Sequence, residues 1–324
     1  MVKKREFAQR EESFMNLVGG FLDKKHTQHL DSQEGYFLNC KMYVMPQKSV
    51  KNKIASISVI IPCYNCEDTI LRALRSVEEQ TLTPKEVIII NDGSSLPSSN
   101  NIIDICNSRK EKAFRTILIN LGQNCGPGFA RNAGRKISSC EYLAFLDADD
   151  AWHPMKLEIQ YDWMKRRPDV LMTGHQSIVI PTDTDLSSIK LPKKWEAIQV
   201  KASIQLFSNR FHTRSVMIKN ESPFRFTTKR GNSEDYELWL EIVLSKFPAW
   251  RLELPLSFTY KSQYGSGGLS GRLHQMEKKE IASYFELYRK KLIPALFLIT
   301  LIPVSLTKYL KRIIIANIRK RLKR

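Results

Sequence analysis

An apolar run from Tyr142 to Leu146 ends abruptly in Asp147-Ala148-Asp149-Asp150. In an extended chain successive side chains alternate faces, so Asp147 and Asp149 would point one way and Asp150 the other. Two carboxylates on one side of a strand end repel unless a cation lies between them. Hard divalent ions such as Mg²⁺ or Mn²⁺ take oxygen ligands of this kind. The same residues also suit a plain acidic turn that caps the next helix. A second acidic pair, Glu234-Asp235, opens the helical pattern Tyr236-Glu237-Leu238-Trp239-Leu240 behind Asn232 or Ser233 as cap. There the helix dipole by itself favours negative charge.

The elements that must position these carboxylates repeat a strand, turn, helix unit. Ile57-Ser58-Val59-Ile60-Ile61 is almost wholly apolar and stops at Pro62, which suits a strand covered on both faces. Asn65 and Asp68 have the spacing of a capping box, and Ile70, Leu71, Leu74 and Val77 recur at helical intervals. Val87-Ile88-Ile89-Ile90 is a second buried strand, ended by the turn-rich Asn91-Asp92-Gly93-Ser94-Ser95. A helix near residues 102–106 leads to a third strand at 116–119. Gly126-Pro127-Gly128 then opens a helix whose small residues permit close packing. Alternating strands and helices imply an α/β fold with a mostly parallel central sheet and flanking helices, in which ligands bind at the carboxyl ends of the strands. Residues 62–65, 91–95 and 147–150 all lie at such ends and should share one crevice. Beyond it the spacing predicts a helix over 154–166, an apolar segment over 170–180 and a strand over 214–219, with no periodicity between 181 and 192.

Composition narrows the class. At 42% hydrophobic and 26% charged residues the chain is globular rather than disordered. Its 51 Lys and Arg against 33 Asp and Glu leave a net charge of +18, which points to polyanionic surroundings. Six scattered cysteines lack the density of a disulfide scaffold and suit a reducing compartment. Cys63-x-x-Cys66 has redox spacing, but no second pair accompanies it for zinc. No apolar run follows the basic N-terminus, so a secretory signal is not expected.

Taken in order, the motifs resemble the inverting, nucleotide-sugar-dependent glycosyltransferases of family 2, which have the GT-A fold, a Rossmann-like sheet. They are Val59-Ile60-Ile61-Pro62-Cys63-Tyr64-Asn65, Ile90-Asn91-Asp92-Gly93-Ser94, Gly126-Pro127 through Ala130-Arg131-Asn132 and Gly134, Leu146-Asp147-Ala148-Asp149-Asp150 with Trp152 and Pro154, and Glu234-Asp235 with Trp239. They span about residues 56–260. The resemblance implies that Pro62, Tyr64, Asn65, Asp92, Arg131, Asp147 and Ala148 bind the nucleotide sugar. Tyr64 would stack on the base and Asp92 would accept from its imide N–H, favouring UDP. Asp147 would contact the ribose or sugar, with Arg131 facing the nucleotide or donor sugar. Asp149 would hold a divalent Mn²⁺ or Mg²⁺, Asp235 would be the general base, and Glu234 would position the acceptor. The further histidine ligand of some members has no counterpart directly after the base helix, where His274 is the nearest. Gly265-Ser266-Gly267-Gly268-Leu269-Ser270 reads as a loop able to close over the donor, or as a linker.

The C-terminus reads as a separate device. Residues 292–306 form an uncharged run with Pro294 and Pro303, short of the ~20 residues that span a bilayer, and so are expected to be interfacial or re-entrant. Leu306, Leu310, Ile314, Ile318 and Leu322 then recur every four residues among eight Lys and Arg, a basic amphipathic helix suited to anionic lipid. No nucleic-acid reader motif accompanies this charge, so a nucleic-acid partner is not expected. The expected organisation is an N-terminal extension over 1–53, a GT-A domain over 54–270 and a helical, membrane-associating region over 271–324. The expected activity is metal-assisted transfer of a sugar from a UDP-sugar to a lipid-linked or polysaccharide acceptor. It would serve bacterial cell-surface polysaccharide or lipopolysaccharide assembly at the cytoplasmic face of the inner membrane. Transfer to polyprenyl phosphate, or an inactive membrane-bound scaffold of the same fold, are the alternatives.

Overall fold

The computed structural model describes residues 41–45, 53–109, 112–229, 233–260 and 273–322. The helical periodicity at 14–22 and the glycine-rich stretch 265–270 lie outside them. Among the described residues ten strands form one sheet. The apolar runs build its centre. β2 (Ile54–Cys63) lies between β3 (Thr83–Asn91) and β5 (Tyr142–Phe145), and β3 in turn pairs with β4 (Arg115–Asn120), all in parallel. β1 (Lys41–Met45), within the stretch read as an extension, closes this side by pairing antiparallel with β4. On the other side the order runs from β5 through β9 (Met217–Lys219) and β7 (Met172–Val179) to β10 (Ala249–Thr259). The outer edge of β10 carries two short strands, β6 (Asp150–Trp152) near its C-terminal end and β8 (Ala197–Gln199) near its start. The long ladders are parallel, and antiparallel pairing is confined to short strands.

The helices flank this sheet because each buries one apolar stripe. α1 (Ile70–Glu78) buries Ile70, Ala73, Leu74 and Val77. α2 (Leu96–Ser108) contributes Ile102 and Cys106 to the same core, and α3 (Pro127–Ile137) covers Ile88, Ile90, Ile117 and Ile119. α4 (Lys156–Lys165) follows β6, and the short α5 (Ala202–Phe207) precedes β9. α6 (Glu234–Leu244) presents Leu238, Trp239 and Ile242 to a core shared with Phe145 and Phe226. α7 (Leu273–Arg289) and α8 (Ala295–Leu322) pack onto α6 through Tyr284, Leu287 and Leu301.

Three local expectations change. Asn65 caps nothing: α1 begins after Thr69 without a side-chain cap. Asn65 instead has a left-handed φ of 46° and reaches across to the next loop. The strand expected over 214–219 starts later, because Thr213–Ser215 is a 3₁₀ turn whose side chains are drawn to carboxylates. The uncharged run 292–306 does not stand apart. It runs into one helix with the basic segment, and no described helix is long and apolar enough to cross a membrane.

At the amino ends of the strands, opposite the candidate site, the buried Glu86 knots four segments together. It accepts from Ser58 Oγ (2.6 Å), the Ser139 amide (2.8 Å) and Arg115 Nη2 (2.6 Å). Burial alone would push this carboxyl up, yet those donors hold it below its ordinary value. Removing it would leave the buried Ser58 hydroxyl and the Ser139 amide without this acceptor, while the Arg115 side chain, 42% exposed, could turn to water. Glu86→Ala should therefore lower unfolding stability by about 3 kcal/mol in urea denaturation.

Candidate active site

The loops that leave β2, β3 and β4 are tied to one another by side chains. The Asn65 amide donates to Ser94 Oγ at 2.9 Å, and Asn65 Oδ1 accepts from the Ser95 amide at 2.9 Å. These bonds lock the loop after β2 to the loop after β3. Asp92, buried, accepts from the amides of Cys125 (2.7 Å) and Gly126 (2.8 Å), which fixes the start of α3. The same junction explains Gly93. At φ +70° a Cβ there would lie 2.2 Å from the Gln123 carbonyl carbon, so only glycine lets the loops meet. Tyr64, directly after β2, stands 54% exposed, and the residue before it, Cys63, accepts from the Asp92 amide at 2.7 Å. Pro62 pairs with Ile90 within the sheet, and Ala148 is buried.

The carboxylate cluster is turned rather than extended, with the Asp150 amide bonded to the Asp147 carbonyl at 3.1 Å. Each acid therefore has its own surroundings. Asp147 accepts from Arg131 Nη2 at 2.7 Å. Asp150 is buried and accepts from Arg214 Nη1 at 3.0 Å. Burial pushes the Asp150 carboxyl up to about 7 against the pull of Arg214, with the charges of Asp147 and Asp149 adding to the rise. Asp149 is half-buried, and its carbonyl accepts from Arg72 Nη2 at 2.8 Å. Arg72 itself lies 3.6 Å from the centre of the Tyr260 ring, a cation–π contact.

Arg131 joins the two acidic clusters. Only 5% exposed, it reaches Asp147 with one terminal nitrogen and Glu234 Oε1 with the other, at 3.4 Å. Burial opposes its charge, but the charges of Asp147 and Glu234 outweigh that and raise its pKa. The approach of α6 to α3 is close. A Cβ on Gly128 would lie 2.5 Å from the Thr227 carbonyl and 3.2 Å from Glu234 Cβ. Behind Arg131 the rings of Phe145, Phe226 and Trp239 pack edge to face or tilted, with centroids 5.1 to 6.4 Å apart. Asn132 exchanges two hydrogen bonds with the Phe226 backbone and pins that segment to α3.

At the head of α6 the two acids differ. Burial and the neighbouring charge of Asp235 push the Glu234 carboxyl up, with Arg131 opposing. Asp235 accepts from Thr213 Oγ1 (2.9 Å) through one oxygen and from the Tyr236 amide (2.7 Å) through the other. The 3₁₀ turn after His212 thus serves both clusters, Thr213 holding Asp235 and Arg214 holding Asp150. No motif marks Thr213, Arg214 or Arg72 in the sequence. The one local hint is an arginine set directly before the apolar stretch Ser215-Val216-Met217-Ile218.

Other candidates fall away. Cys63 and Cys66 are buried free thiols, and burial, then Cys66, pushes the Cys63 thiol well above its ordinary value, the reverse of a reactive thiolate. His274 sits against Tyr309 of α8 with ring centroids 6.2 Å apart. Among the described residues no three His, Cys, Asp or Glu side chains form a metal cage. A site completed by substrate phosphates does not need one, because Mg²⁺ and Mn²⁺ are commonly held by one or two carboxylates plus phosphate oxygens. The half-buried Asp149 fits that donor set, whereas Asp147 is engaged by Arg131.

His212 offers a test of this packing. Burial, with Arg214 adding, lowers its pKa to about 4, so the folded protein holds it neutral where the unfolded chain protonates it. The unfolded state then binds more protons between pH ~6.5 and ~4, and stability falls as pH drops through that window. Unfolding free energy should lose roughly 2 kcal/mol more between pH 7 and pH 5 in the wild type than in His212→Gln, measured by urea denaturation at both values.

The family comparison follows the same residues. The model for glycosyl transferase family 2 matches residues 58–235. An uncharacterized glycosyltransferase of Rickettsia bellii is 42% identical over 125 residues, 38% of this chain, and the match covers 17% of that protein's length. The Escherichia coli UDP-Glc:alpha-D-GlcNAc-diphosphoundecaprenol beta-1,3-glucosyltransferase WfgD is 30% identical over 188 residues, 58% of this chain and 69% of its own. Among solved structures, Staphylococcus aureus TarS residues 1–349 in complex with UDP-GlcNAc superposes with a TM-score of 0.53 at 18% identity, covering 71% of this chain and 66% of that one. The mannosyltransferase PcManGT of Pyrobaculum calidifontis, in complex with GDP-Man and Mn²⁺, gives 0.53 at 15% identity over 94% of this chain and 83% of its own. At such identities the structures speak for the fold, which is of the GT-A type. Because the matching segment is more than half of the chain and runs from the β2 strand to the acids of α6, this protein is a glycosyltransferase and belongs to glycosyl transferase family 2.

Proposed function

We propose that the chain transfers a sugar from a UDP-sugar to a hydroxyl of a lipid-linked glycan, with inversion, in the assembly of a bacterial surface polysaccharide. The observation that carries this is the Arg131 bridge, which sets Asp147 and the Glu234-Asp235 pair across one crevice. UDP as carrier draws support from the uridine complexes of TarS and from WfgD, whose name states a UDP-Glc donor and a diphosphoundecaprenol acceptor. Tyr64 would cover the base, Asp92 would add a bond to the base beyond those it makes to the backbone, and Asp147 with Arg131 would orient the ribose and the donor sugar. Asp149 would hold a divalent ion, which when bound offsets the negative charge that builds on the departing diphosphate.

The two acids at the head of α6 divide the acceptor side. Glu234 is committed to Arg131 and its carboxyl is pushed up, which suits positioning a hydroxyl. Asp235, steered by Thr213, is the carboxylate placed to take the proton as that hydroxyl attacks. One base acting across the sugar from the departing diphosphate gives a single displacement and hence inversion.

Attachment to the cytoplasmic face of the membrane belongs to the same proposal. Lys308 and Arg312 are occupied by Glu277 and Glu280 of α7, so they dock the helix on the protein. Leu306, Leu310, Ile314 and Ile318 remain uncovered, Leu310 and Ile314 at 57% and 58% exposure. Such a stripe, flanked by further basic residues, suits the surface of an anionic bilayer.

Turnover of UDP-glucose, UDP-GlcNAc and GDP-mannose with Mn²⁺ tests the donor, and no release from any of them while UDP still binds would mean an inactive scaffold. Asp235→Asn should lower transfer by roughly 10²–10⁴-fold with UDP affinity unchanged, and retained transfer would refute the base. The double change Leu310→Glu with Ile314→Glu should release the protein from phosphatidylglycerol vesicles in a flotation assay without altering donor turnover. Unchanged flotation would remove the stripe from membrane binding.

A further inference from the structure

A second concave surface lies at the other end of β10. It is an open groove of about 460 Å³ lined by Trp163, Arg166, Arg167, Trp195, Ala197 and Trp250. Three of the chain's five tryptophans meet here. Trp163 and Trp250 pack with ring centroids 5.5 Å apart, and the Arg167 guanidinium lies 4.2 Å from the centre of the Trp163 ring. Trp195 is 38% exposed and Trp250 is partly exposed, whereas Trp163 is buried. Arg166 and Arg167 are exposed and make no ion pair among the described residues. Lys193 and Lys194, just before Trp195, are exposed as well.

The groove is remote from the carboxylates. Trp250 pairs with β8 at the start of β10, whereas Asp150 pairs with Thr259 at its end, so nine residues of strand, roughly 30 Å, separate them. The C-terminal end of α4 supplies Trp163, Arg166 and Arg167, and the strand β8 supplies Ala197. Nothing in the transfer reaction uses these side chains.

We propose that this groove is an accessory binding site for a saccharide that carries a carboxylate or phosphate group. The indoles of Trp195 and Trp250 offer flat apolar surface on which the C–H face of a sugar ring can lie. A planar guanidinium fork matches a carboxylate or phosphate with two hydrogen bonds, and an arginine without a carboxylate partner is available to do so. The volume falls in the range of small-ligand sites and holds one or two sugar rings. Single-stranded nucleic acid would also use tryptophan and arginine, but it needs a track several nucleotides long. The choice of a saccharide rests on this chain being a glycosyltransferase that handles glycans. The site would tether an acidic glycan while donor and acceptor meet at the other end of the sheet.

The full-length protein can be titrated with a tetramer of galacturonic acid, with maltotetraose as a neutral control and with an eight-nucleotide oligo-dT, following tryptophan fluorescence and calorimetry. The acidic tetramer should bind at a single saturable site whether or not UDP and Mn²⁺ are present. Trp195→Ala, and separately Arg166→Gln with Arg167→Gln, should each weaken it by roughly tenfold. All of these proteins should keep the wild-type rate of donor turnover. Maltotetraose should bind at least tenfold more weakly. No saturable binding of the acidic tetramer, equal binding of the neutral one, tighter binding of oligo-dT, competition by UDP, or indifference to both variants would each overturn the proposal. Donor turnover by the wild-type preparation reports on the transfer reaction separately, so a failed groove leaves that reading intact, and a failed donor screen alongside variant-sensitive tetramer binding leaves the groove standing.

Discussion

Burying the Arg131 guanidinium costs several kcal/mol of lost hydration, and the flanking carboxylates of Asp147 and Glu234 are what offset it. The two acids come from parts of the chain about ninety residues apart, one at the end of β5 and one at the head of α6. Arg131 on α3 holds them at a fixed separation. The neighbouring features serve this contact. Gly128 lets α6 come close enough, Asn132 pins the Phe226 segment, and Phe145, Phe226 and Trp239 keep water from the far side of the guanidinium. Without the arginine, the carboxylates of Asp147 and Glu234 would face each other as like charges.

The turn at 212–214 extends the same logic. Three partners serve four of the acids in the crevice: Arg131 for both Asp147 and Glu234, Arg214 for Asp150, and the uncharged hydroxyl of Thr213 for Asp235. A hydroxyl orients a carboxylate without neutralising it. Asp147, Asp150 and Glu234 each meet an arginine, whereas the side chain of Asp235 accepts from a hydroxyl and a backbone amide.

The helices after the sheet are coupled to that site through a polar chain. Lys308 and Arg312 of α8 hold Glu280 of α7, Glu280 accepts from Tyr284, and the hydroxyl of Tyr284 stands 3.5 Å from that of Tyr236, the residue after Asp235. The C-terminal helix is thus linked by a run of direct contacts to the helix that carries the acids. At the opposite end of β10 the tryptophan groove shares no side chain with this network.

Much of the architecture was legible in the residue order alone. The runs at 57–61, 87–90, 116–119 and 142–146 are almost wholly apolar because strands of a covered parallel sheet are buried on both faces. The turns at their carboxyl ends could then be placed in one crevice by topology. The acids Asp147, Asp149, Asp150, Glu234 and Asp235 could be picked out by type and spacing. What the sequence could not show is which of them meet which partner. Asn65 has the spacing of a cap yet bridges two loops, and Arg214 reads as a strand residue yet ion-pairs with an acid sixty-four positions earlier. Periodicity reports only on contacts within an element, whereas a carboxylate's proton affinity depends on burial and on charges brought near by folding. The motifs belong to the sequence; the division of labour among the acids belongs to the tertiary structure, because only there do Arg131, Thr213 and Arg214 come within hydrogen-bonding distance of them.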